Sequence, residues 1–289
     1  MSGESYRERQ RPEMTDRQPI TEHLGELRKG IFTSLIVVAI GFSVSFFYSE
    51  HIFSILILPM HYILSFSLEE PYMAFRKTGS ADLNLVFLAP AEALWMHFKI
   101  SFISGAIATS PVIFYQIWRF VSPGLLLKEK KYALPFVFFT TLLFITGALF
   151  CFIIVLPFAM NFLMNYKTEN LKPMISVGKY IDFCLKFIIA FGLVFELPVI
   201  VVFLTRMGIV TTEFLSKNRK YAVLVAFILA AFLTPTPDAF NQTLMAVPII
   251  VLYEIGILAS KIFNRISRRK KEQEEKEENE KNEDQDKLN

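Results

Sequence analysis

Apolar residues in this chain come in blocks separated by polar or proline-rich stretches. The first block, Ile31 to Tyr48, is long enough for a hydrocarbon core of about 30 Å. Before it, Met1 to Gln18 is polar and is expected to be disordered. Ile20 to Lys29 then reads as a short amphipathic helix at the membrane surface, with Thr21 placed to cap it and Leu24, Leu27 and Ile31 at helical spacing. No small-residue cleavage site accompanies this block, so it reads as a retained span rather than a cleaved signal peptide. A mixed loop carrying Pro59, Pro71, Gly79 and Pro90 follows. Span two runs from Ala93 to about Phe120 and is interrupted by Pro111. Span three is Tyr132 to Leu163, with Pro135 and Pro157 near its ends. Span four is Tyr180 to Thr205 and contains Glu196 and Pro198. Two shorter runs, Tyr221 to Leu233 and Leu244 to Leu258, flank a tight turn at Thr234-Pro235-Thr236-Pro237-Asp238. The fifth run spans only about 20 Å of helix, less than the core thickness. The pattern predicts an all-α membrane protein with six transmembrane helices, the last two short.

Composition agrees. Apolar residues make up 53% of the chain, with 30 Phe, above the roughly 45–50% of soluble domains. The net charge of +3 hides an asymmetry. Lys and Arg cluster at Arg17, Arg28 and Lys29, at Lys128, Lys130 and Lys131, at Arg206, Lys217, Arg219 and Lys220, and at Arg265 to Lys271. The alternate loops carry only the scattered Arg76, Lys77, Lys167, Lys172 and Lys179. By the positive-inside rule the dense set is cytoplasmic, and both termini lie on that side. Three regions result: a polar leader (1–18), a six-span membrane domain (19–263) and a basic-then-acidic cytoplasmic tail (264–289) whose acidic run is expected to be disordered.

Cys151 and Cys184 lie in apolar segments and give no disulfide framework or metal spacing. No two of the four His are spaced as metal ligands, and the chain has no phosphate loop, nucleophile elbow or zinc motif. The expectation is therefore no catalytic residue, no metal, no cofactor and no nucleic acid. The chemistry rests on carboxylates. Glu196 lies near the middle of an apolar span, where a charge costs roughly 2.5–3.5 kcal/mol on insertion scales. Such an acid faces a partner or a water-filled cavity, and Pro198 removes a helix bond beside it. Glu26 and Glu129 stand out among cytoplasmic Lys and Arg; each is either paired locally or available to a cationic ligand, and a carboxylate suits the planar fork of a guanidinium. Glu254 reads as structural or interfacial. Glu92 and Lys99, two turns apart, each need a partner on another segment. Trp118, at the end of span two, reads as an interface anchor. Two rival readings remain at this level: a proton-coupled small-solute transporter using Glu196, for which no internal repeat is visible, and an intramembrane protease, for which no nucleophile–base pair is found within the spans.

Several blocks together resemble one family. Thr21-Glu22-His23-Leu24-Gly25-Glu26-Leu27-Arg28 resembles an amino-terminal HLxELR motif. Ser110-Pro111 through Tyr115-Gln116-Ile117-Trp118-Arg119-Phe120 resembles a PxxxYQxWxF block. Lys128-Glu129-Lys130 resembles the end of a YxxE loop, and Ala190 to Pro198 resembles AFGxxFExP. Leu233 to Asp238, with Asn241 and Gln242, resembles a TPPDxxSQ turn. In this order, from about Pro19 to Phe263, they are similar to TatC, the multispanning subunit of the twin-arginine protein translocase. The resemblance implies six spans in a concave, cup-like bundle in the bacterial cytoplasmic (inner) membrane. It implies Sec-independent translocation of folded proteins driven by the proton-motive force. It also implies recognition of twin-arginine signal peptides by Glu26 and Glu129, with Leu24, Arg28 and Phe120 in the same site. Glu196 and Gln242 are implied to form an intramembrane polar site that contacts single-span TatA- or TatB-type partners. Pro235 and Asp238 are implied to form a periplasmic turn, and the chain is implied to work in an oligomeric complex within membrane lipid.

Overall fold

The computed structural model describes residues 20–66, 73–77, 85–121, 133–165, 174–234 and 238–288, and within them every long apolar block is helical. Helix α1 (Ile20–Phe47) leads into α2 (Ser49–Leu56) and α3 (Leu58–His61). Next come α4 (Glu92–Ala108) and α5 (Ser110–Val121), then α6 (Ala133–Phe150), a π turn (Cys151–Val155) and α7 (Leu156–Asn165). Helices α8 (Val177–Val194), α9 (Leu197–Arg206), α10 (Thr212–Lys217), α11 (Arg219–Leu233) and α12 (Ala239–Leu288) complete the order.

Proline decides where the blocks bend. Pro111 has no N–H to offer the carbonyl of Ile107, and α4 and α5 meet at 57°. Before the bend the Gly105 carbonyl accepts both the Thr109 amide at 3.0 Å and the Thr109 hydroxyl at 2.8 Å. The π turn stands immediately before Pro157, and the Leu156 N–H closes it on the Cys151 carbonyl. Pro198, in the first turn of α9, ends α8 at Val194 and leaves Phe195 and Glu196 as the joint. Pro248 sits inside α12 without ending it.

Among the described residues four helical stretches are long and apolar enough to cross a bilayer: Gly25–Phe47, Pro135–Met164, Val177–Arg206 and Ala239–Ile266. The bent pair α4 and α5 makes a fifth. Helix α11, about 22 Å long, falls short of a 30 Å core by itself. The last span is not short, as the sequence had suggested. It runs for 28 residues, because Glu254 does not interrupt it: Arg219 of α11 holds that carboxylate in a two-point fork, Nε to Oε1 at 2.6 Å and Nη2 to Oε2 at 3.0 Å. Nor does the acidic tail leave the helix. α12 continues to Leu288, and its Glu272/Lys276, Glu277/Lys281 and Glu283/Lys287 pairs have the i, i+4 order that favours helix.

The chain is also not purely helical. The loop after span one contains β1 (Tyr62–Phe66) and β2 (Met73–Lys77), an antiparallel pair. Two-residue strands β3 (Leu85–Val86) and β4 (Ile175–Ser176) run parallel. Tyr62-Ile63-Leu64-Ser65-Phe66 is rich in strand formers, a local signal outweighed in the sequence reading by the flanking Pro and Gly.

Helix α8 is the buried centre, with Ile181, Cys184, Phe187 and Phe191 almost without exposure. It packs on α4 at one side and α6 at the other, while α9 packs on α12 and α12 on α11. Two crossings are backbone to backbone. A Cβ on Gly105 would lie 2.6 Å from the carbonyl carbon of Gly41, so α1 meets α4 through paired glycines. A Cβ on Gly147 would lie 2.6 Å from the Phe191 carbonyl oxygen, so α6 meets α8 as closely. Small residues are the usual means of such approach in membranes.

Glu92 ties the far ends together. Its Oε2 accepts the Leu88 and Ala89 amides at 2.6 and 3.3 Å. Its Oε1 accepts the Gly178 amide at 2.8 Å and the Ser176 hydroxyl. The β3–β4 pair brings Ser176 to this position. The Tyr180 hydroxyl adds a bond to the Leu56 carbonyl at 2.7 Å.

Two stability predictions follow from these contacts. Gly105→Leu should cost about 1–3 kcal/mol by overpacking and lower the thermal midpoint in detergent, whereas Gly25→Ala, with nothing within 4 Å of its Cβ, should leave it unchanged. Glu92→Ala should lower the same midpoint more than Glu92→Gln, which keeps an acceptor for Gly178; equal effects would mean that the collar of donors contributes little.

Candidate functional site

Two places bring charged groups to apolar surroundings. The first is a trough beside α1. Near the start of that helix, Glu26 opens a groove of about 380 Å³ whose walls include Gly30, Gln116, Arg119 and Phe120. Gln116 lies over Gly30, with its Oε1 3.7 Å from where a Cβ would be. Further along α1 the groove meets a larger one of about 680 Å³, lined by Phe42, Trp95 and Phe98. The two share Leu35, Val38 and Phe102, so they form one continuous trough. Its walls are apolar apart from its mouth and a charged floor. There, Lys99 donates to Asp182 at 2.7 Å, and Lys186 lies one turn beyond on α8.

The second place is a buried seam at the α8–α9 joint. Glu196 is only 6% exposed. The Thr140 hydroxyl and the Phe144 backbone amide face its carboxylate, and the Trp118 indole N–H donates to Thr140 Oγ1 at 3.3 Å. Phe136 and Phe203 enclose the indole, with centroids at 4.8 and 5.0 Å. Glu196 Oε1 has no hydrogen-bond partner among the described residues. An apolar groove of about 470 Å³, lined by Phe136, Phe139, Pro198 and Phe263, opens next to this seam between α6, α9 and α12.

The sequence candidates divide between these places. Glu26 and Phe120 share the trough mouth. Arg28 is exposed and lies outside its lining. Leu24 lies on α1, but its side chain is outside the described residues, as are Glu129 and Pro235. Glu196 does not line the trough. Gln242 is not beside Glu196: Gly256 of α12 is the residue against Pro198, which puts Gln242 about 21 Å away along the helix at 1.5 Å per residue. Its amide instead donates to the Phe227 carbonyl at 3.1 Å. Asp238 caps α12, accepting the Asn241 amide at 2.7 Å. Glu92 and Lys99 both reach other segments, as their spacing required. Trp118 is not an interface anchor; it is 9% exposed and inside the Glu196 seam.

Sequence reading missed Thr140, Asp182 and Lys186. Asp182 and Lys186 carried a usable signal, opposite charges four apart within a span. Thr140 carried none, since a hydroxyl in a span bonds its own i−4 carbonyl by default.

The chain's relatives bear on what these places do. The family model described as "Sec-independent protein translocase protein (TatC)" matches residues 22–248. A TatC from Carboxydothermus hydrogenoformans is 42% identical over 246 residues, covering 84% of this chain and 94% of that protein. The TatC of Aquifex aeolicus is 39% identical over 256 residues, covering 88% and 98%. The Desulforapulum autotrophicum TatC is 39% identical over 250 residues, covering 86% and 87%. A crystal structure described as the twin-arginine translocase receptor TatC superposes with a TM-score of 0.71 at 37% identity, covering 82% of this chain and 99% of that one. The chain therefore belongs to the TatC family, as a multi-pass membrane component of the Sec-independent protein translocase and not an enzyme.

Proposed function

We propose that this chain is the receptor of its translocase and that the α1 trough receives twin-arginine signal peptides. One observation carries the reading: a half-buried carboxylate, Glu26, stands at the mouth of a long trough whose walls are apolar apart from that mouth and the Lys99, Asp182 and Lys186 floor. A signal peptide has the matching order, a pair of arginines followed by an apolar stretch. Glu129 is the second acid of the proposed site, with Leu24, Arg28 and Phe120 around it. Arg119 also lines the mouth and opposes a cationic ligand, which makes the balance of charge there a determinant of affinity.

In this reading α11 is the sixth crossing, sheltered by α12, and the bundle is concave around the trough. Both termini and the dense basic set lie in the cytoplasm of a bacterial cell, with the turn at Pro235 and Asp238 on the periplasmic side. The Glu196 seam and its neighbouring groove receive the helix of a single-span TatA- or TatB-type partner, in an oligomeric complex that moves folded cargo using the proton-motive force. The unpartnered Oε1 of Glu196 supports that placement, because a buried acceptor without a donor is costly until one arrives. Gln242, held by α11, contributes as a clamp between α11 and α12 rather than at the same contact. Membership of a protein-translocase family favours this reading over a solute transporter using Glu196.

The test is affinity of the purified protein for an Arg-Arg signal peptide against its Lys-Lys counterpart. Arg-Arg should bind several-fold tighter, and Glu26→Ala or Glu129→Ala should remove most of the difference; two peptides binding alike would sink the receptor site. Glu196→Ala should leave peptide affinity intact while abolishing crosslinking to the partner helix, and a parallel loss of peptide binding would count against separate sites.

A further inference from the structure

Beyond the trough and the seam, the described residues also form a strongly polar pocket. It lies between the segment joining α9 to α10 and the far part of α12, with a volume of about 480 Å³. Lys261, Arg265 and Arg268 line it from one face of α12, at spacings of four and three. Asn264 and Thr211 add hydrogen-bonding groups. Thr211 Oγ1 accepts the Phe214 amide at 3.2 Å, which leaves its hydroxyl hydrogen for a ligand. One acid, Glu213, opposes the cations and accepts the Thr212 hydroxyl at 3.2 Å. Lys261 and Arg265 make no ion pair with a described residue. Lys261 and Arg265 against Glu213 leave the pocket an excess of positive charge, which favours an anion.

We infer that this pocket binds the phosphate of an anionic phospholipid headgroup. Guanidinium forks suit the non-bridging oxygens of a phosphodiester, and an ammonium adds a point charge. The surroundings favour a lipid over free phosphate. The apolar stretch of α12 ends at Ile266, so the pocket sits where a bilayer's hydrocarbon gives way to headgroups. Ile262 is exposed on the adjoining side of α12, and Ile209 and Phe214 are exposed in the α9–α10 segment that forms the other wall. A lipid whose phosphate occupies the pocket lays its chains along these residues. Lys261 is half-buried and lines the pocket, and a long basic side chain near a span end can keep its charge among headgroups. Basic pockets of this kind between spans bind anionic headgroups.

The full-length chain in a non-ionic detergent is titrated with dioctanoyl phosphatidylglycerol, dioctanoyl phosphatidylcholine or inorganic phosphate. Thermal midpoint and retained lipid by native mass spectrometry are read together. The phosphatidylglycerol should raise the midpoint and stay bound, and the other two should do neither. The pair Lys261→Gln with Arg265→Gln should reduce retention several-fold, Lys261→Arg should preserve it, and Glu213→Gln should increase it. Equal retention of phosphatidylcholine, or an unchanged double variant, overturns the site. Equal protection by inorganic phosphate overturns the lipid as its ligand.

Discussion

At membrane depth, a polar group without a partner is what this fold must avoid. Hydrocarbon offers no water to hydrogen-bond freed backbone or charge, so each must be matched within the protein. The structure meets this demand repeatedly. Thr33, Ser43, Ser101, Thr146 and Thr205 return their hydroxyls to carbonyls one turn back. Lys99 is matched by Asp182, and Glu254 by Arg219. Thr205 and Ser260 share a hydroxyl–hydroxyl bond between α9 and α12. Against this background the Oε1 of Glu196 is the only buried carboxylate oxygen left without a partner among the described residues. That contrast, more than burial alone, sets it apart from the structural acids.

The proline breaks turn the same constraint into architecture. A break at membrane depth frees carbonyls and tilts the chain. At Pro111 the bend carries α5 toward the start of α1, which is how Gln116 and Phe120 come to share a wall with Glu26. At Pro198 the joint places Glu196 before the first turn of α9, facing α6. Close approach of α6 to α8 at Gly147 and of Phe144 to Gly192 then seals the carboxylate from lipid. Both candidate sites thus depend on a proline for position and on a glycine crossing for their walls.

Much of this was legible in the chain. The apolar blocks, their prolines and the isolated acids each have a strong local signal. Glu92 and Lys99 were legible as groups needing distant partners, because their spacing forbids pairing with each other. Pairings between segments were not legible. Arg219 and Glu254 are 35 positions apart, and the sequence shows only that each is charged. Without that pairing Glu254 looks like a terminator, and the last span looks short. The recipient of the Gln242 amide was illegible for a similar reason. An amide in an apolar run signals a polar contact but not its recipient, and the recipient here is a carbonyl on the neighbouring helix. The tail misled by composition: charge density argues against a folded core, but i, i+4 pairs sustain a helix that needs none.

The trough has one wall of a different kind from the rest. Along its apolar stretch α1 is almost entirely unburied, whereas half of the Val177–Arg206 stretch is buried. Its tightest contact with the bundle is the Gly41–Gly105 crossing. Glu26 lies 15 positions before Gly41, about 22 Å along the helix, so the mouth of the trough is far from the point where α1 is pinned. Near the mouth α1 packs instead on α5, where the Gln116 side chain lies over Gly30. The trough side of α1 is thus held at two places, by the glycine crossing with α4 and by α5 near Glu26, and neither contact involves α8.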